Sequence, residues 1–301
     1  VLIIVAVVVF AVIHLTPGDP ASVMLGSEAT PQQIAALRIQ MGLDNPLWKQ
    51  FVTWFSSALV GNFGQSFFLH QPVGQAIVEH LEPTLTLALF AEILAIAIAI
   101  PAGILAARKA GSWIDTTVSG IALLGISLPS FLVGLLLVLL FSVQLRILPV
   151  GGYISPSQNF GQFLSQIILP GVSLAFIQAS LITRMVRSSM LDVLGENYIV
   201  TAFSKGLTNR VITFKHALRN AAIPVITVIG HSVGTLIAGA IVVETVFNIP
   251  GIGQLIFNSI MRRDYNVIQA VVLLTAFLYV VINLLVDLSY GVLDPRVRSA
   301  K

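Results

Sequence analysis

Residues 184 to 224 read RMVRSSMLDVLGENYIVTAFSKGLTNRVITFKHALRNAAIP, a basic, amphipathic stretch interrupted by glycine and set between two apolar runs. Tyr198 to Ser204 reads as a short helix. Gly206 can take the left-handed conformation that closes it, and Asn209 to Leu218 can resume helical structure. Two short helices with a turn between them are therefore expected to project from whatever solvent the flanking runs occupy. Charge alone fits an ordinary polar loop equally well, so the runs on either side decide what the stretch is.

Those runs need lipid. Of 301 residues, 56% are hydrophobic and only 10% charged, and mean hydropathy is +0.93. A soluble domain carries about 25% charged residues. A helix of about 20 apolar residues crosses about 30 Å of hydrocarbon, and six runs are candidates: 1–15, 84–107, 113–142, 163–183, 222–247 and 266–290. The first is too short. It opens on Val1 with no Met and no basic leader, so its first turns are expected to be missing, and no small-residue cleavage site follows to mark it as a signal peptide. The expected fold is an all-α polytopic membrane protein with six transmembrane helices. Cysteine is absent, and the five His show no spacing such as HExxH, so disulfide, thiolate and metal chemistry are not expected.

The formal charge of +3 says little in such a chain, because the placement of basic residues sets topology and their sum does not. With a cytoplasmic N-terminus, eleven basic residues face the cytoplasm: Arg108, Lys109, Arg184, Arg187, Lys205, Arg210, Lys215, Arg219, Arg296, Arg298 and Lys301. Five face outward: Arg38, Lys49, Arg146, Arg262 and Arg263. The positive-inside tendency is met with both termini in the cytoplasm. Nucleic acid is not an expected partner.

The outer segment 17–82 is too polar to span. Thr30-Pro31-Gln32-Gln33 carries a capping hydroxyl, Pro at the first helical position and Gln at the third, and Gly42 closes that helix. Asn45-Pro46 opens another, on which Leu47, Phe51, Trp54, Phe55, Ala58 and Leu59 share one face and which ends at Gly61. That face is expected to pack on the membrane surface or the bundle mouth, or to receive an extracytoplasmic partner.

Motifs recur along the whole chain in a fixed order. They run from Pro17-Gly18-Asp19-Pro20 through Gly42-Leu43-Asp44-x-Pro46-Leu47, Gly61-x-Phe63-Gly64-x-Ser66 and Pro83-Thr84 to Ser127-x-Pro129-x-Phe131. Then come Leu148-Pro149, Gly151-Gly152, Leu169-Pro170, Glu244-x-x-Phe247-x-x-Pro250-Gly251-x-Gly253 and Asp294-Pro295-Arg296. Between them stand Tyr198, Thr201, Ala202, Lys205, Gly206 and Leu207, followed by His216-Ala217-Leu218-x-Asn220 and Pro224. In this pattern the chain resembles the permeases of ATP-binding-cassette importers, specifically the peptide and nickel subclass with a long first outer loop. The segment 196–224 is similar to their coupling region, the EAA motif. Val200 and Thr201 stand where the general motif has Glu and Ala, and Arg219 where it has its final Pro, departures that fit the peptide subclass.

The resemblance implies a type I importer permease fold. It implies a first transmembrane helix over 1–16, an extracytoplasmic helical loop over 17–82, and a core over 83–301 with five further transmembrane helices and cytoplasmic coupling helices. It places Glu196, Tyr198, Thr201, Ala202, Phe203, Lys205, Gly206 and Leu207 against an ATPase subunit. Tyr198, Ala202 and Phe203 would form an apolar knob, rimmed by Lys205, Arg210, Lys215 and Arg219. Partners would be a second permease in a heterodimer, two ATPase subunits, an extracytoplasmic substrate-binding protein and membrane lipid, in a bacterial inner membrane. The chain has no GxxxxGK[ST] phosphate loop. It would therefore hold no cofactor and catalyse nothing, ATP and Mg binding to the ATPase subunits. Cargo is a di- or oligopeptide or a glutathione-like solute by subclass, with nickel or another small solute as the alternative.

Ionisable groups inside spans are costly and mark candidate pathways. Glu92, His231, Glu244 and Asp287 qualify, and His231 with Ser232 and Thr235 makes the best polar cluster. Close helix contacts or hinges are expected at Pro101, Gly103, Gly120, Gly125, Pro129, Gly134, Gly230, Gly234 and Gly239. An ion-coupled transporter would carry mid-membrane carboxylates and internal repeats, and a membrane enzyme a nucleophile-base or metal spacing. The sequence has no convincing repeat, its carboxylates sit toward span ends, and neither enzymatic spacing occurs.

Overall fold

The computed structural model describes residues 1–15, 19, 21–22, 29–40, 42–66 and 68–293. The motif positions Pro17, Gly18, Pro20 and Asp294-Pro295-Arg296, the basic Arg298 and Lys301, and the side chain of Asp287 lie outside what is described. In chain order the helices are α1 Leu2–Leu15, α2 Pro31–Gln40, α3 Leu47–Leu59, α4 Val73–Arg108, α5 Trp113–Ser127, α6 Ser130–Leu137 and α7 Phe160–Leu194. After them come α8 Asn197–Ser204, α9 Asn209–Val211, α10 Leu218–Val246, α11 Ile252–Arg262 and α12 Tyr265–Leu293. Two π-helical segments, Val138–Gln144 and Ile212–Ala217, continue α6 and α9. The only sheet among the described residues is the hairpin β1 Gln65–Ser66 with β2 Gln71–Pro72.

Two compact units form. The first holds Val1–Glu82 and Gln254–Val280. Its α2 opens with the expected capping box: Gln33 N donates to Thr30 Oγ1 at 3.3 Å, and Gln33 Oε1 accepts from Thr30 N at 2.9 Å. Gly42 closes it at φ +67. The aromatic face of α3 meets α1, with Phe10 5.4 Å from Phe51 and 5.9 Å from Trp54. Buried Asp264 accepts from Ser66 Oγ at 2.6 Å and Phe68 N at 3.3 Å, which ties the hairpin to the start of α12.

The second unit, Pro83–Gly253 with Val281–Lys301, is built around α7, which packs on α5, α6 and α10. Ile182, Val186 and Met190 are fully buried on α7, and Ala91, Ala95 and Ala99 on α4 form a stripe of small side chains at four-residue spacing. The stripe continues to Gly103, where a Cβ would lie 2.6 Å from Val186 Cβ. Lipid tails are as apolar as Leu, so these helices gain from close packing in place of water expulsion, and small residues permit it. Arg187 of α7 clamps Asp115 at the start of α5 through two oxygens, at 2.5 and 2.8 Å.

Among the described residues three helices are long and apolar enough to cross a membrane, Val73–Arg108, Phe160–Leu194 and Tyr265–Val286, and two bent pairs bring the number to five. The sixth candidate, α1, has 14 residues and, as expected, is too short for a full span. Two other spans differ from the sequence expectation. The run 113–142 is not one helix: it bends by 105° after Ser127. Leu128 precedes Pro129 and is extended at φ −96, ψ 130, the conformation that a following proline ring imposes. Conversely α4 begins at Val73, eleven residues before the expected 84–107, with Pro83 inside it. Proline is tolerated within membrane helices because other groups satisfy the freed carbonyl.

Candidate functional site

The stretch from Glu196 to Asn220 builds a surface with two faces. In α8, Ile199 and Ala202, three apart, are buried in a core that also holds Met190, Ile212 and Ala217. Val200, Phe203 and Leu207, at the complementary spacing, are exposed, and Val211 and Phe214 add to that face from α9 and its π segment. Glu196 is the exposed N-cap residue of α8 and makes no side-chain cap bond. Thr201 is exposed, its hydroxyl donating back to Asn197 O at 3.0 Å. Lys205, Arg210, Lys215 and Arg219 are exposed around the apolar patch.

The helix ends as the glycine demands. Gly206 has φ +78; its N–H donates to Phe203 O at 2.9 Å, and Leu207 N–H donates to Ala202 O at 3.3 Å. This pair of bonds is a Schellman cap, which satisfies carbonyls that the last turn would leave bare. Asn220 Nδ2 donates to Tyr198 Oη at 2.6 Å and fastens α8 to the beginning of α10.

Two expectations are corrected. Ala202 is buried against its own chain, so the exposed apolar patch is Tyr198, Val200, Phe203, Leu207, Val211 and Phe214. Val200, Val211 and Phe214 were missed, although the i, i+3, i+7 spacing of Val200, Phe203 and Leu207 carried the signal. The segment after Gly206 is also not a separate short helix. It runs through Asn209–Val211 and the π turn Ile212–Ala217 into Leu218–Val246, so one rod leaves the turn and continues to Leu236, beyond which the helix bends by 48°. A π turn is accommodated within a helix and often marks a functional position.

Further along α10, His231, Ser232 and Thr235 line a cleft of about 420 Å³ together with Arg184, Ser188 and Leu181 of α7. His231 and Arg184 are exposed in it. Ser232 turns inward instead: its Oγ lies 2.6 Å from Glu92 Oε1 and 2.7 Å from Ile229 O. Gln178 Nε2 donates to Thr235 Oγ1 at 2.8 Å and to Ser232 O at 3.1 Å. Glu92, Ser232 and Gln178 thus cross-link α4, α10 and α7 behind the cleft wall. Gln178 and Arg184 escaped the sequence reading, Arg184 because it was counted only as a topology charge.

Glu244 is fully buried and accepts from Thr84 Oγ1 at 2.6 Å, while Thr84 Oγ1 accepts from Ile252 N at 2.8 Å. A Cβ on Gly251 or Gly253 would strike the Glu244 carboxylate. The Glu-x-x-Phe-x-x-Pro-Gly-x-Gly motif is therefore a packed corner, with Glu244 away from any described cleft. Phe247 completes it: its carbonyl accepts from Gly152 N at 2.8 Å, and its ring would lie 2.8 Å from a Cβ on Gly134. Among the described residues no group of His, Cys, Asp and Glu could hold a metal ion.

Long apolar helices joined by small-residue stripes, an exposed apolar and basic patch at a capped helix, and a cleft lined by polar groups further along α10 define a multi-pass membrane transport subunit. The chain belongs to the family of binding-protein-dependent transport system inner membrane components, which residues 99–299 match, while residues 1–88 match the N-terminal region of such membrane components. It is a permease subunit of an ATP-binding-cassette transport system. It is 44% identical to the probable peptide ABC transporter permease protein y4tP of Sinorhizobium fredii, over 98% of this chain and 94% of that protein. It is 42% identical to the dipeptide transport system permease protein DppB of Escherichia coli, over 97% of this chain and 93% of that one. Its fold is similar to a chain of the MetNI methionine ABC transporter in an inward-facing conformation, with TM-score 0.61, 19% identity, and coverage of 73% of this chain and 96% of that one.

Proposed function

We propose that the chain is one permease of a heterodimeric bacterial importer for di- or oligopeptides, with both termini in the cytoplasm. Its exposed α8 patch seats on an ATP-hydrolysing subunit. ATP and Mg bind to that subunit, and this chain catalyses nothing and holds no cofactor. An extracytoplasmic binding protein delivers the solute. The carrying observation is the patch itself: six exposed apolar side chains and four exposed basic ones on α8 and the segment after it are costly to leave bare in water and match the apolar and charged composition of a protein interface. The peptide cargo is supported by the names of the two relatives above. The eleven-to-five distribution of basic residues supports the orientation.

The test is reconstitution in vesicles with the candidate second permease, ATPases and binding protein, following uptake of a labelled dipeptide. Uptake should require ATP and all partners. Uptake that proceeds without ATPases and follows an ion gradient would overturn the reading.

A further inference from the structure

In the first unit, two hollows share Phe63 as a wall. One, of about 320 Å³, is lined by polar and aromatic groups that include His14, Trp54, Arg263, Tyr265 and Gln269. The other, of about 840 Å³, is lined by apolar side chains alone, among them Leu2, Leu59, Leu274 and Phe277. The same three helices build both. Helix α1 gives His14 to the polar hollow and Leu2 to the apolar one; α3 gives Trp54 and Leu59; α12 gives Gln269 and Phe277. Polarity therefore changes along the helix axes, as a ligand with a polar head and an apolar tail requires. From Gln269 to Val280 the helix rises about 16 Å, at 1.5 Å per residue. That is close to half of the ~30 Å hydrocarbon core, the depth of one leaflet.

The polar hollow has the chemistry of an anion site. Its lining holds no Asp or Glu. Arg263 is exposed and in no ion pair among the described residues. Gln269 is only 6% exposed, lines the hollow, and its side chain makes no hydrogen bond among the described residues. An amide that faces the hollow can donate to a phosphodiester, and the Arg263 guanidinium on the same lining matches its charge.

We propose that this unit binds one anionic phospholipid, its phosphodiester against Arg263, Tyr265 and Gln269 and an acyl chain between α1, α3 and α12. The site stands independently of the cargo and of the α8 patch. The experiment uses the intact transporter, delipidated in detergent and titrated with phosphatidylglycerol or with diacylglycerol, which lacks the phosphodiester, under native mass spectrometry. Wild type should retain phosphatidylglycerol about tenfold more strongly than diacylglycerol, the scale of one charge-assisted hydrogen bond. Arg263→Gln should abolish that preference, and Leu274→Trp, which fills the apolar hollow, should weaken retention of both lipids. Equal retention of the two lipids by wild type would overturn the proposal. So would competition by free glycerol phosphate at the same concentration, which would mark a soluble-anion site. A photoreactive residue at Phe277 that cross-links to the second permease in place of lipid would overturn it equally.

Discussion

Replacing Gly206 by valine and, separately, by asparagine distinguishes a backbone requirement from a contact requirement at the α8 turn. Among the described residues no atom lies within 4 Å of where a Cβ would stand, so bulk meets nothing there, and φ +78 is the local obstacle. For a branched side chain that conformation costs about 1–2 kcal/mol, whereas asparagine adopts it readily. The two bonds of the cap contribute about 1 kcal/mol each. Valine thus removes most of what holds the turn, a shift of about 5- to 30-fold in its population. With the transporter in vesicles, ATP hydrolysis and dipeptide uptake are read together. Gly206→Val should insert normally and keep basal hydrolysis, while uptake per ATP falls about tenfold, in line with that population shift. Gly206→Asn should stay within about twofold of wild type on the same argument. If asparagine fails as badly as valine, the open space around Gly206 belongs to a partner surface and the turn argument is wrong. Normal uptake by the valine variant would refute the coupling role of the α8 turn altogether.

Three further outcomes follow from the packing. Val200→Asp should abolish co-purification of the ATPases with the membrane subunits while leaving their thermal stability unchanged, whereas Ile199→Asp, one residue away but fully buried, should prevent stable insertion. Thr84→Val removes the hydroxyl shared by Glu244 and Ile252 and should cost about 1–3 kcal/mol, read as a lowered Tm of the purified complex that Thr84→Ser largely restores. Gly103→Leu drives a side chain into Val186 and Thr183 and should cost about 1–3 kcal/mol or block assembly, checked by size-exclusion of the detergent-solubilised complex.

What the sequence disclosed follows from how local each signal is. The caps at Thr30, Gly42 and Gly206 depend on a few consecutive residues and emerge where their chemistry requires. The break at Leu128 was readable for the same reason, because Pro129 dictates it, yet the length of the apolar run outweighed it. Pro83 misled in the opposite direction, since a proline that ends a soluble helix can sit within a membrane one. Glu244 and Ser232 were beyond local reading. Their partners, Thr84 and Glu92, lie 160 and 140 residues away, and only the packing of α4 on α10 brings them together. Hydropathy marks both as polar groups in a span; whether each meets solute or a neighbouring helix is decided by side-chain direction, which composition does not encode.

The continuity of α9 and α10 changes how force would pass through the subunit. Two projecting helices joined to the span by a loose tether would let the α8 patch move without moving anything else. A rod that begins at Asn209 and carries His231 and Ser232 on the same axis gives the patch no such freedom. The Asn220–Tyr198 bond pins α8 to that rod at its base. From Asn220 to His231 the rod rises about 16 Å, so a tilt imposed at α8 displaces the cleft wall in proportion. Gln178 and Glu92, bonded to Ser232 and Thr235, would carry the displacement sideways into α7 and α4. The polar groups that resembled a solute site are then better understood as the joints that make three helices respond together. The polar side chains exposed in the open cleft are Arg184, Ser188, His231 and Thr235.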